Sequence, residues 1–132
     1  MAENNIFIVD ASYVLQTILP DERSVTSAKK ALKILTDPKN KIISSKLLEF
    51  EVGNGLKSAY LSKRVKKKSL NILTKNFTLL PISFQNINIE DVLLIAVDYD
   101  LTFYDATYVY LANKFKIRLL TLDENLSKIT SN

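Results

Sequence analysis

The apolar residues of the chain follow two patterns, short continuous runs and longer segments with helical spacing. The short runs, rich in β-branched and aliphatic residues, predict β-strands at residues 6–9, 41–44, 77–80 and 117–121. The longer segments predict helices at residues 11–19, 24–35, 46–61, 64–74, 89–97, 105–112 and 125–129. Residues 99–104 have neither pattern and are predicted to be irregular or briefly extended.

The predicted strands alternate with predicted helices along the whole chain. Parallel strands need crossover connections, and these are usually helical, so the alternation predicts an α/β fold with helices on both faces of a mostly parallel sheet. The sequence contains no internal repeat and no linker-like segment. We therefore expect residues 1–132 to form one domain.

The composition narrows the chemistry that such a fold can perform. The chain has no histidine and no cysteine, which excludes serine–histidine triads, histidine-based ribonuclease chemistry, thiolate nucleophiles and metal sites built on either residue. Catalysis would have to use carboxylates, hydroxyls, amines or a hard cation. The longest apolar runs are too short to cross a membrane, so we expect a cytoplasmic protein. The net charge of +4 favours polyanions only slightly.

Four acidic residues fall where the predicted elements meet. Asp10 directly follows the first strand, Asp123 follows the last strand, and Asp105 begins a helix near the same edge. Ligands of open α/β sheets bind outside the carboxyl ends of the strands, so we expect these side chains to converge on one crevice. Glu51 lies on the flank of the inward face of its helix, where a purely solvated acid is less expected.

Helix capping offers a simpler interpretation of each aspartate. A carboxylate at a strand-to-helix junction commonly accepts a backbone N–H, and this alone accounts for Asp10, Asp105 or Asp123 taken singly. Glu51 taken singly is more typical of a surface or intrahelical partner. Several carboxylates at one sheet edge would, however, repel one another unless a cation neutralised them, and their oxygens suit Mg²⁺ or Mn²⁺.

Four segments resemble, in order and spacing, the acidic motifs of PIN-domain nucleases, and most closely those of VapC-type toxins. The segments are residues 8–12, 48–56, 104–112 and 120–123, with the sequences IVDAS, LEFEVGNGL, YDATYVYLA and LTLD. Together they extend over nearly the whole chain. The Tyr-Asp-Ala stretch followed by Leu-Ala is the most specific of them.

The resemblance implies a three-layer α/β/α sandwich around a sheet of four to five parallel strands, one or two Mg²⁺ or Mn²⁺ ions, and hydrolysis of RNA. The acids that match the motifs, as catalytic and metal-binding residues, are Asp10, Glu51, Asp105 and Asp123. Ser12 and Thr121 match hydroxyl positions beside these acids, and Asn125 matches a further polar position. Glu49 is the rival to Glu51, but the family pattern places the acid directly before the Val-x-Asn-x-Leu stretch. Gly53 and Gly55 depart from good helix-forming sequence.

A basic segment follows the helix that carries Glu51. Its residues, which are candidates for contact with the RNA backbone, are Lys63, Arg64, Lys66, Lys67 and Lys68. A solvated lysine-rich surface is an equally good interpretation of such a run. VapC-type relatives imply two further partners, a second copy in a homodimer and a cognate antitoxin protein.

Three other functions are alternatives to a toxin ribonuclease. A phosphoacceptor receiver domain also has acids at strand ends, but it needs adjacent acids after the first strand, where this chain has Ala11-Ser12. A catalytically silent PIN-like module that binds RNA or protein would not need all four acids. A housekeeping RNA-processing nuclease shares the same site chemistry, so the residues leave that alternative open.

Overall fold

The computed structural model describes residues 5–20 and 25–131. In chain order the elements are β1 (Asn5–Val9), α1 (Ala11–Ile18), α2 (Val25–Thr36), β2 (Asn40–Ser45), α3 (Leu48–Leu61), a 3₁₀ turn (Lys67–Ser69), α4 (Leu70–Thr78), β3 (Ile82–Gln85), α5 (Ile89–Tyr99), α6 (Phe103–Phe115), β4 (Arg118–Leu120) and α7 (Glu124–Thr130). Within these ranges, no helix is both long enough and apolar enough to cross a bilayer.

The four strands form one parallel sheet in the order β3-β2-β1-β4. β1 therefore lies between the strand that follows it in the chain and the last strand, so the chain direction across the sheet reverses beside it. In open α/β sheets this reversal creates a crevice at the carboxyl ends of the two strands concerned. Here the crevice lies between the ends of β1 and β4.

Both faces of the sheet are buried because successive strand side chains point to opposite sides. Phe7 and Val9 pack with α1, α2, α3 and α4, whereas Ile8 packs with α6 and α7. The neighbouring Ile42 and Ile43 divide between the two cores in the same way. These two cores confirm the predicted α/β/α sandwich, with four strands in the sheet.

The region before β3 corrects the sequence prediction. Residues 77–80 were expected to form the third strand, but Phe77 and Thr78 end α4, and the strand begins only after Pro81. Leu73, Phe77 and Leu80 recur at helical spacing and pack against the first core. The helix expected at residues 64–74 begins at Leu70, after the 3₁₀ turn.

The junction between α5 and α6 is tighter than the irregular segment expected at residues 99–104. α5 continues to Tyr99 and ends at Asp100, whose left-handed backbone has φ 53°. α6 begins at Phe103 because the Thr102 hydroxyl accepts the Asp105 N–H at 3.0 Å. The predicted start of α2 at Ser24 lies outside the described residues.

The two glycines of α3 have different surroundings. A Cβ atom at Gly55 would overlap Leu15 Cδ1, so a larger residue would displace this side chain from the contact between α3 and α1. Gly53 is exposed, and a Cβ atom there would meet nothing within 4 Å. Close packing therefore accounts for Gly55 and leaves Gly53 without a structural explanation.

Candidate active site

Asp10 is buried directly after β1, with 5% of its surface exposed. Its Oδ1 caps α1 by accepting the Tyr13 N–H at 3.0 Å, and it also accepts the Ser12 hydroxyl at 2.7 Å. The Thr121 hydroxyl donates to the other oxygen, Oδ2. The Asp10 N–H continues the β1–β4 ladder by donating to the Leu120 carbonyl at 3.2 Å. Both carboxylate oxygens are thus fixed in place.

The turn after β4 is joined to the turn after β1 through hydroxyl groups. The Leu122 N–H donates to Ser12 Oγ at 2.9 Å, and the Asp123 N–H donates to Thr121 Oγ1 at 3.0 Å. Asp123 Oδ1 in turn accepts the Leu126 N–H at 3.0 Å and caps α7. The structure thus brings Ser12 and Thr121 into direct contact with Asp10 and connects them to the turn that carries Asp123.

The capping interpretation holds for Asp10 and Asp123 and is wrong for Asp105. Thr102 caps α6, and Asp105 is the third residue of that helix, where a negative charge also interacts favourably with the helix dipole. The Asp105 side chain is half-buried at the sheet edge. Asp105 is therefore not needed as the cap of α6.

Glu51 is half-buried in the first turn of α3, on the opposite helical layer from Asp105. Its Oε1 accepts the hydroxyl of Tyr108 at 2.5 Å. Tyr108 lies three residues after Asp105 on α6, so the two side chains occupy the same face of that helix. The spacing from Asp105 was the one feature that pointed to the acid site.

The four acids act on one another electrostatically. Burial raises the pKa of Asp10, and the charge of Asp123 adds to this effect. Burial also raises the pKa of Glu51, with further contributions from the charges of Asp105 and Asp10. The pKa of Asp105 is raised by burial and then by the charges of Asp123 and Asp10. Negative charge therefore accumulates at the crevice between β1 and β4.

This accumulation favours a cation, and the donor atoms are the hard oxygens that Mg²⁺ and Mn²⁺ prefer. Within residues 5–20 and 25–131, however, no three acids are arranged to ligate one ion directly. Mg²⁺ in proteins usually keeps several waters and takes only one or two carboxylates directly. The donor set therefore fits an ion held partly through water, and not one enclosed by four carboxylates.

The remaining predicted residues are all exposed. Asn125 is exposed on α7, and the rival acid Glu49 is exposed and lines a separate apolar pocket with Phe77 and Phe84. The basic residues Lys63, Arg64, Lys66, Lys67 and Lys68 follow the far end of α3. At 1.5 Å per residue, Leu61 at that end lies about 15 Å along the helix from Glu51.

The parallel sheet with acids beside the ends of β1 and β4 has the arrangement that the PIN-domain motifs imply. The family model described as PIN domain matches residues 7–132, so the chain belongs to the PIN domain family. The chain is similar to ribonuclease VapC3 of Pyrobaculum aerophilum, with 30% identity over 125 residues that cover 92% of each protein. The crystal structure of PAE2754 from the same organism superposes with a TM-score of 0.73 at 27% identity, covering 96% of this chain and 87% of that chain. The resemblance to VapC-type PIN domains is confirmed.

Proposed function

We propose that the protein is a metal-dependent endoribonuclease and the toxin of a VapBC-type toxin–antitoxin pair. One observation carries the proposal. Burial and the charges of neighbouring acids raise the carboxyl pKa values of Asp10, Glu51 and Asp105 at the crevice between β1 and β4, and the charge of Asp123 contributes to this effect on Asp10 and Asp105, in a PIN domain similar to a ribonuclease. Such uncompensated charge is costly to a fold and useful to an enzyme that holds a cation.

In the proposed mechanism, Mg²⁺ or Mn²⁺ would activate water and offset the charge on the scissile phosphate. Asp10 would be the most rigid ligand, because Ser12, Tyr13 and Thr121 fix both of its oxygens. Glu51, Asp105 and Asp123 would complete the ion's surroundings, directly or through water. One or two such ions are proposed, as the resemblance to PIN-domain nucleases implies.

The proposed partners follow from the resemblance and from the surface. Phe50 and Leu61 are exposed on α3, and we propose that this helix contacts the second copy of a homodimer. The basic residues after α3 are exposed and remain the predicted contacts for the RNA backbone. An antitoxin is proposed as the partner that blocks the acidic crevice.

The test compares the wild type with Asp10→Asn, which keeps the size of the side chain and its oxygen acceptor. Each is expressed in a host cell, and new RNA 5′ ends are mapped across the transcriptome. We expect discrete new ends with the wild type only. The purified wild type should cleave the same RNA with Mg²⁺ or Mn²⁺ and lose this activity in EDTA.

Asp98→Asn on the exposed surface of α5 is the matched control and should cleave like the wild type. Identical 5′ ends from folded wild type and Asp10→Asn would contradict the nuclease proposal and favour a silent binding module. Suppression of the new ends by the product of an adjacent small reading frame would support the toxin role. The absence of such a gene would favour RNA processing.

A further inference from the structure

We propose that Tyr108 is a positioning residue of the acid site, whose hydroxyl holds Glu51 at the crevice and thereby raises the affinity of the site for a divalent cation. This inference rests on the proposed function, since it concerns the same site. It assigns a task to a residue that touches neither substrate nor metal in the proposed mechanism.

The first argument is the position of the hydrogen bond. The ring of Tyr108 belongs to the core formed by α6 and α7, whereas α3, which carries Glu51, packs in the core on the other face. The bond between the Tyr108 hydroxyl and Glu51 Oε1 thus joins the two helical layers at the edge of the sheet. It occupies one carboxylate oxygen and leaves Oε2 available to a ligand.

The second argument is that Glu51 needs such a restraint. Asp10 and Asp123 are held by backbone N–H groups because they cap helices, whereas Glu51 lies within a helix and caps nothing. It also has the longest and most flexible side chain of the four acids. The charges of Asp105 and Asp10 repel the Glu51 carboxylate. Without a hydrogen-bond donor to hold it, this carboxylate would be more stable when turned towards water.

The third argument is that packing alone does not require a tyrosine at this position. Only 1% of the Tyr108 surface is exposed, and a phenylalanine ring would fill the same core space. A buried hydroxyl without a partner costs free energy, and Glu51 is the acceptor that removes this cost. The hydroxyl therefore contributes through its bond to Glu51 and not through the volume that it fills.

The experiment measures Mn²⁺ binding directly by calorimetry, together with thermal unfolding in EDTA. The variants are Tyr108→Phe, Glu51→Gln and the double variant. The matched control is Tyr110→Phe, which makes the same change on the same helix, where the ring lies 5.8 Å from Lys114 Nζ. We expect Tyr108→Phe to weaken Mn²⁺ binding about 10- to 100-fold, as is typical when a group that orients a metal ligand is lost. The control should bind like the wild type.

The double variant distinguishes positioning from a general loss of structure. If the hydroxyl acts through Glu51, Tyr108→Phe should weaken binding little further once Glu51→Gln is present. Wild-type affinity in a folded Tyr108→Phe would overturn the inference while leaving the metal site intact. A wild type that does not bind Mn²⁺, or binds it equally well after Asp10→Asn, would overturn the proposed function as well.

A measurement on the wild type covers the case in which Tyr108→Phe does not fold. The hydroxyl proton of Tyr108 should give a slowly exchanging NMR signal, because the group is buried and hydrogen-bonded. Retention of this signal in the Mg²⁺-loaded protein would support the inference. Its loss on loading with Mg²⁺ would contradict it, since Glu51 would then have left the tyrosine to bind the ion.

Discussion

The acid site has a strand-borne half, formed by Asp10 and Asp123, and a helix-borne half, formed by Glu51 and Asp105. The strand-borne acids follow β1 and β4, and each accepts a backbone N–H that starts a helix. The helix-borne acids lie inside the first turns of α3 and α6 and start no helix. The strand-borne half therefore helps to form the fold by capping helices, whereas the helix-borne half caps no helix.

This difference affects how mutations at the site should be interpreted. Removal of a strand-borne acid removes both a helix cap and a negative charge that would attract a cation. Removal of a helix-borne acid removes no cap and relieves an unfavourable charge, because burial and then neighbouring acids raise the pKa values of both Glu51 and Asp105. Loss of activity in the two halves should therefore be accompanied by different changes in stability.

The largest difference is expected between Asp10→Ala and Asp105→Ala in metal-free protein. Asp10→Ala loses the α1 cap and leaves the Ser12 and Thr121 hydroxyls without their acceptor, so it should lower the free energy of unfolding by about 2 to 4 kcal/mol. Asp105→Ala should change it by less than about 1 kcal/mol, because relief of repulsion offsets the lost dipole interaction. Urea unfolding in EDTA measures both values. Equal losses would show that the two halves are held alike.

A smaller effect is expected from two substitutions of Asp123. Asparagine caps helices about as well as aspartate, so Asp123→Asn should unfold at nearly the wild-type urea concentration. Asp123→Ala should lose about 1 kcal/mol, because the Leu126 N–H then has no capping partner. Both variants lose the same charge, so any difference in stability measures the cap alone. Equal stability of the two variants would mean that the Asp123 cap does not stabilise the fold.

The smallest effect is expected in the pH dependence of the helix-borne half. A carboxyl whose pKa is raised by folding binds more protons in the folded state, so the free energy of unfolding falls as pH rises from the ordinary carboxyl range of about 4 through the raised pKa. Glu51→Gln should therefore reduce this decline in metal-free protein. Unfolding curves measured between about pH 4 and pH 8, where a carboxyl with a raised pKa titrates, test this expectation. An unchanged slope would mean that burial and the neighbouring acids do not raise the pKa of Glu51 in the folded protein.

Much of the fold followed from residue patterns that are local. Asp10 could be placed at a strand end because the apolar run before it is continuous and ends abruptly. The third strand was misplaced because a short apolar run such as residues 77–80 cannot be assigned to strand or helix by periodicity alone. The true β3 has only four residues and includes Ser83 and Gln85, so its pattern is weak.

Contacts within the site were harder to predict than the positions of the acids. Ser12 and Thr121 were expected beside the acids from the family motifs, and they contact Asp10. The bond between Tyr108 and Glu51 depends on how α6 and α3 approach each other from opposite faces of the sheet. The distance between the Tyr108 hydroxyl and the Glu51 carboxylate cannot be predicted from a local sequence pattern, because the packing of two separate cores sets it.

The hydrogen bond between Thr121 and Asp10 joins residues that are 111 positions apart. During translation β1, β2 and β3 are synthesised before β4, so Asp10 cannot bind Thr121 until β4 has left the ribosome and paired with β1. Pairing across so many residues is also a slow step in folding. A nascent chain that lacks β4 also lacks Thr121 and Asp123, so its acidic crevice is incomplete until β4 pairs with β1.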